Sequence, residues 1–480
     1  MKQLIFLILV TGVGMLGSFR WGPFVGVWVY VFYDLLRPQF IWKWAGYGLD
    51  QTNWSLFVAL AALAATPLIG PSANPQLNRG GRMTLVRLVI THRAYACFVG
   101  WITVTYFTAI NPSAGDKVMD GYLKTTLMYV VGVAALHTVR QAWALLGAFV
   151  LALCYIATQI NELYFTQGYL GIITNGHGGL DNNGAGMMLA MVVPLLAFAW
   201  EWYRGWYRWL FVLLIPVVLH AVLLTYSRGA MLSLLLSSPL WVFRGGDRWV
   251  WGPTGERGHP GPPDWTRRRT DRWLKWGMGF AIACMVPVMA GEQIRERFYS
   301  TAKFDDDGSA QSRFTSWAIG WKMALERPVF GFGVRNSSLY TKQYGADMEG
   351  RVIHSQYIQV AADNGIVGLC LYLWLVGAGL WGYQRVIRAA RDRPDPDSRM
   401  ALLAAMAGQA SLVTFLAGAV FLSCEQFEPQ YWLLLLGLHL PLVYAPASRA
   451  VARQTNRVRP WVAMPPPVAQ RPTANVRGRR

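Results

Sequence analysis

Apolar residues run in blocks along this chain, and short polar or basic stretches separate them. The blocks fall near residues 3–19, 22–41, 54–70, 94–111, 119–137, 141–160, 185–201, 207–226, 228–244, 274–290, 355–383, 400–423 and 429–446. Most have the ~17–25 residues that a helix needs to cross a hydrocarbon core. The pattern predicts an all-α polytopic membrane helical bundle of 12–13 spans, the first two blocks making either two crossings or one broken one. The stretch from Leu4 to Leu16 lacks a small-residue cleavage site, and a second apolar block follows the turn Arg20-Trp21-Gly22-Pro23. It reads as a retained helix or half-helix, not as a removed signal.

Residues 291–353 interrupt the pattern with ordinary globular character. Within them, Ser312 is placed to cap a helix, and Trp317, Trp321 and Ala324 fall on one helical face. Pro328 ends that helix and Gly331-Phe332-Gly333 makes a turn. A small helical subdomain is therefore expected to lie against the bundle of residues 1–446. The tail 447–480 is rich in Pro and Arg and carries no acid, so it is expected to be disordered and to touch anionic lipid.

Composition agrees: 54% of residues are hydrophobic and 14% charged, against roughly a quarter charged in soluble domains. The net charge of +19 would point to nucleic acid in a soluble protein, but no recognition motif accompanies it. The charge sorts by loop instead. Loops 79–93, 244–275 and 384–399 and the tail are rich in arginine, and alternation puts them all on one side. The positive-inside rule makes that side cytoplasmic. Loops 112–118, 161–184, 291–353 and 424–428 then face the opposite side. The five cysteines have no CxxC spacing and lie in or beside apolar blocks, which argues against a disulfide framework or a metal site.

Four candidate residues fall on the predicted outer side. His354 opens the block that begins His354-Ser355-Gln356-Tyr357, and a neutral imidazole at a boundary suits proton transfer. It can equally be an interfacial histidine satisfied by water or a carbonyl. Arg228, in Tyr226-Ser227-Arg228-Gly229, sits between two blocks on the side where positive charge is disfavoured. A cation there has a function or a partner, or snorkels. Arg313 precedes the loop helix, and its planar fork suits phosphate oxygens or a salt bridge with Asp305, Asp306 or Asp307. Asn183, in Asp181-Asn182-Asn183, can contact sugar hydroxyls or cap a helix. Tyr357 and Glu428 are further substrate-contact candidates, and Glu425 and Glu428 can orient His354 or be inert in a solvated loop. The aspartates at 305–307 lack the spacing of a calcium loop, and no metal or other cofactor is expected.

Taken in order, these pieces resemble the bacterial O-antigen ligase/polymerase superfamily. They are Asp181-Asn182-Asn183, Tyr226-Ser227-Arg228-Gly229, Ser312-Arg313 with Trp317 and Pro328-Val329-Phe330-Gly331-Phe332-Gly333, and His354-Ser355-Gln356-Tyr357 with Asn364-Gly365-Ile366-Val367-Gly368. Ser355 stands where the family usually has asparagine, and Asn182 where proline is common. The opening, with Leu36-Arg37-Pro38, is similar to the branch found beside exosortase systems, whose members are proposed O-glycosylation ligases. The resemblance implies a membrane glycosyltransferase with a fold similar to the GT-C class. Its donor would be a glycan on undecaprenyl pyrophosphate, its acceptor a hydroxyl on lipid A core, protein or glycan. Arg228 and Arg313 would hold the pyrophosphate and His354 would act as base. Polymerisation onto a second lipid-linked glycan and non-enzymatic transport of such a lipid are the alternatives.

Overall fold

The computed structural model describes residues 2–42, 52–69, 85–168, 171–203, 205–242, 308–348, 350–391, 393, 395–424 and 427–444. The block at 274–290, the basic loop 244–275, Asp305 to Asp307, Glu425 and the tail 447–480 lie outside these residues. Among the described residues the protein is all helical, with one isolated bridge between His177 and Leu180. It is a multi-pass membrane protein.

Every other apolar block has a helix. They are α1 (Lys2–Arg20), α2 (Pro23–Leu36), α3 (Trp54–Ile69), α4 (Leu85–Phe107), α5 (Asp116–Ala135), α6 (Val139–Gln167), α7 (Asn182–Ala190), α8 (Val192–Trp202), α9 (Arg208–Leu224), α10 (Arg228–Val242), α12 (Gln356–Ala390), α13 (Pro396–Gly418) and α14 (Glu428–Val443), with α11 (Gly308–Glu326) in the long interruption. Among the described residues, six stretches are long and apolar enough to cross a membrane: Lys2–Arg20, Leu88–Phe107, Val139–Gln167, Asn182–Trp202, Gln356–Ala390 and Pro396–Gly418.

Close approaches at small residues fix the packing. A Cβ on Gly14 would lie 3.2 Å from Val29, and one on Gly17 would lie 2.7 Å from Val25. This pairing makes α1 and α2 an antiparallel hairpin rather than one broken crossing. Gly382 and Gly379 of α12 press on the backbone of Gly437 in α14, where a side chain would collide. Small residues are the usual means of bringing helices together in lipid, where hydrophobicity gives no drive.

The long helix α12 is really two helices. Gly365 has φ 75° and ψ 173°, a region open essentially to glycine alone. Residues 356–364 fold back along the remainder: Gln356 Nε2 donates to the Tyr372 hydroxyl at 2.6 Å, and the rings of Tyr357 and Tyr372 are 6.1 Å apart. On a straight helix those positions would be roughly 24 Å apart. The predicted block at 355–383 therefore contains a re-entrant turn, and the part after Gly365 alone is ~37 Å long, enough to span.

The folded-back segment is held by polar contacts. Gln356 and Tyr372 both donate to Gln430 Oε1 (3.1 and 3.0 Å). Gln359 Nε2 donates to Ser337 Oγ and to Asp363 Oδ2, both at 2.7 Å. Thr105 donates to Asn364 Oδ1 at 2.7 Å. The segment 328–333 closes over the bend: Ile366 N donates to Pro328 O (2.7 Å) and Gly333 N to Asp363 O (2.8 Å). Beneath it, Ile319, Met323, Phe332, Ile353 and Ala362 form a small separate core.

The loop helix differs from expectation. It begins at Gly308, so Ser312 lies in its interior and not at its cap. Ala324 is buried and Trp317 half-buried, but Trp321 is 45% exposed. The face that packs inward is Ser316, Ile319, Gly320 and Met323, because only the small Gly320 admits the close approach of Ile353 and Ile358.

Candidate functional site

Two tight corners carry the candidate residues, and each has a non-glycine residue in left-handed backbone. Tyr226 (φ 55°) turns the chain from α9 into α10, and His354 (φ 57°) turns it into α12. Such conformations persist only where surrounding contacts impose them, and they gather at functional sites. At the first corner, Ser227 Oγ accepts from Ala230 N at 3.3 Å and so caps α10, whose first residue is Arg228. Gly186 of α7 lies against the corner, where a Cβ would meet Thr225 Oγ1 at 2.6 Å, and Asn182 Nδ2 donates to Thr225 O at 3.0 Å. At the second corner, Trp317 Nε1 donates to the His354 carbonyl at 3.2 Å, and Gln356 N donates to Ala419 O at 2.9 Å.

Phe421 joins the corners. Its Cβ would be 3.3 Å from a Cβ on Gly229, and its ring lies 5.9 Å from that of Trp317. Arg313, one helical turn before Trp317, lies on the same side of α11. The half-buried His354 imidazole is held below its ordinary pKa by burial first and then by the positive charges of Arg313 and Arg351, while Asp181 opposes. Burial also pulls Arg313 down, again against Asp181. His354, Arg313, Arg351 and Asp181 thus form one electrostatic group. Arg228 begins the helix whose next residue, Gly229, packs on Phe421.

Two members escaped the sequence reading. Asp181 caps α7, accepting from Gly184 N at 2.7 Å, so capping belongs to it and not to Asn183. Asn183 sits in the first turn and donates to Asn182 Oδ1 at 3.3 Å. Arg351 donates to Ser312 Oγ and, at 3.1 Å, to Asp347 Oδ2. Its only sequence signal is its place three residues before His354.

Tyr357 and Glu428 are placed differently. The Tyr357 hydroxyl donates to Leu416 O at 2.8 Å. Glu428 turns away from His354: its carboxyl hydrogen-bonds Asp34 and Tyr30 and feels the charge of Arg37. It is thus neither in a solvated loop nor an orienter of His354. Arg37 in turn donates to Gly178 O at 2.9 Å, and Phe40 packs where Gly179 has no side chain. The Leu36-Arg37-Pro38 corner, Arg37 itself at φ 51°, therefore tethers the loop that leads into Asp181.

A family profile described as O-antigen ligase matches residues 217–373, which carry Arg228, Arg313, Arg351, Tyr357 and His354. Over that stretch the chain is similar to the O-antigen ligase family. The matched stretch runs from α9 through both left-handed corners and past the Gly365 bend. The match supports glycan transfer of the ligase or polymerase type in general. No curated protein matches the chain.

Proposed function

We propose that this protein transfers a glycan from undecaprenyl pyrophosphate to an acceptor hydroxyl on lipid A core or protein, at the periplasmic face of the inner membrane. The observation that carries the reading is the His354 imidazole, kept neutral by burial and by Arg313 and Arg351, with Asp181 opposite. A neutral imidazole is the form that accepts a proton. In this scheme it takes the acceptor's hydroxyl proton as the oxygen attacks the anomeric carbon. The imidazolium so formed is favoured by the carboxylate of Asp181. Arg228 and Arg313 bind the pyrophosphate oxygens and stabilise their growing charge as the glycosidic C–O bond breaks, which is electrostatic work prepared before the reaction. Pyrophosphate leaves readily by itself, so the scheme routes no step through a metal. A single displacement inverts the anomeric centre. The helical bundle is compatible with a GT-C-like arrangement, with Asn183 near the acceptor.

Arginine-to-lysine exchange tests the scheme, because it keeps charge and loses the planar fork. Arg228→Lys and Arg313→Lys are expected to lower single-turnover release of undecaprenyl pyrophosphate by roughly 10²-fold. Wild-type release by both variants would remove the arginines from the pyrophosphate site.

A further inference from the structure

Helix α11 is apolar on two opposite faces. One, with Ser316, Gly320 and Met323, is buried in the protein. On the other, Ala318, Trp321 and Leu325 recur at helical spacing and are exposed, Trp321 by 45% and Leu325 by 59%. A polar strip separates them on one flank, where Lys322 lies over the Tyr344 ring (5.7 Å) and Glu326 hydrogen-bonds the Tyr344 hydroxyl. A water-exposed helix carries its polar residues opposite its buried face; this one carries Trp and Leu there.

The level of α11 along the bundle is fixed by contacts. Its end, at Pro328, meets the Gly365 bend, and Phe330 stacks on Trp101 of α4 with ring centroids 5.5 Å apart. The apolar span of α4 continues past Trp101 to Phe107, ~9 Å further. From Pro328 the helix runs back toward Ile353 and Ile358, the stretch beside Tyr372, which itself lies against Phe98 of α4. Helix α11 therefore lies alongside the spans, within their length. Its exposed face is also continuous with theirs. From Trp321 and Leu325 it passes through Val329 and Phe330, 47% and 44% exposed, to exposed Val367, Cys370 and Leu373 of α12 and to Val104 of α4.

We propose that α11 is seated in the bilayer at the His354 end of the bundle, with Trp321, Leu325, Val329 and Phe330 against lipid acyl chains. Tryptophan at such a boundary and a polar flank turned aside are what an interfacial helix presents. Arg313 and Trp317 are on the same helix, so a phosphate-bearing lipid would reach them from the leaflet and not from bulk water. The seating rests on α11 and its neighbours and does not depend on the identity of the donor.

Nitroxide accessibility in proteoliposomes tests it. The five native cysteines would be replaced, and a spin label placed at Leu325→Cys or Val329→Cys. The references are a label at Cys370, retained alone on the exposed side of α12, and one at Lys342→Cys, exposed in the turn Thr341–Tyr344. The expected result is oxygen collision like that at position 370, with collision by a water-soluble nickel chelate several-fold weaker than at 342. Chelate access equal to that at 342, or shielding from both reagents by protein, would overturn the seating. A second readout keeps the native cysteines. The fluorescence lost in Trp321→Phe should be a component that brominated lipid quenches and iodide does not; the reverse pattern also overturns it.

Discussion

Replacing Gly365 by alanine should break the corner on which the site depends. At φ 75° and ψ 173° an alanine is strained, which costs on the order of 1–3 kcal/mol. Its Cβ would also sit 2.0 Å from Val329 O, 2.5 Å from Val329 C and 2.7 Å from Pro328 O. These are backbone atoms and cannot swing aside. They are tied down by the bond from Ile366 N to Pro328 O and by Gly331, which faces Asp363 with equal closeness. Overpacking of this kind costs about 1–3 kcal/mol more. The total, roughly 2–6 kcal/mol, is a large part of the ~5–15 kcal/mol that holds a domain folded. The assay is reversible unfolding in mixed SDS micelles, with Gly377→Ala as control. Gly377 lies on the same helix with open space around it, and alanine there should be neutral or stabilising by up to ~1 kcal/mol. Equal stability of Gly365→Ala and wild type would refute the folded-back helix.

The acid limb of kcat/KM should lie below the ordinary histidine range, because burial, Arg313 and Arg351 disfavour the imidazolium of His354. Arg351→Gln removes positive charge and should move that limb to higher pH; Asp181→Asn keeps the helix cap, removes the opposing charge and should move it lower. A pH–rate series on the three proteins checks both signs, and shifts in the same direction would contradict the electrostatic group. Tyr357→Phe should leave turnover near wild type while lowering stability by roughly 1–3 kcal/mol, since it strands the Leu416 carbonyl; mixed-micelle unfolding beside a transfer assay separates the two. Arg37→Ala should free the loop ahead of Asp181, raise the donor KM several-fold and lower stability by roughly 1–3 kcal/mol, since it strands the Gly178 carbonyl; Arg37→Lys should restore part of both. Steady-state kinetics on purified protein would show this.

The bundle was legible in the sequence because lipid demands long apolar blocks whatever the packing, and every described block has its helix. The ends and bends were less legible. Residues 355–383 read as one span because the apolar pattern does not register a glycine whose φ is positive; the contacts of Gln356 and Tyr357 with Tyr372 expose the fold-back. Trp317 and Trp321 looked equivalent by periodicity, yet α11 packs on Ile353 and Ile358 on one side and leaves the other, with Trp321, exposed. At the site, His354 and Arg313 were recognisable because their chemistry stands out at a boundary, and they do form one group. Arg228 is adjacent to Gly229, which packs on Phe421, and Phe421 lies against Trp317, a link between the two corners that no local pattern carries. Asp181 was named in the sequence only as the start of Asp181-Asn182-Asn183, and its place beside His354 depends on which loops meet. Glu428 was assigned by proximity in sequence to a predicted surface, whereas its partners Asp34 and Tyr30 come from the other end of the chain.

The central claim is that a lipid-pyrophosphate-linked glycan is transferred with His354 as base. Purified protein in proteoliposomes, given undecaprenyl-pyrophosphate-linked glycan and an acceptor, measures it directly when wild type is compared with His354→Ala. The account predicts undecaprenyl pyrophosphate and a new glycosidic product from wild type, with both lost in the variant while donor binding persists. Undiminished transfer by His354→Ala, or donor that only changes leaflet with no product, would contradict it.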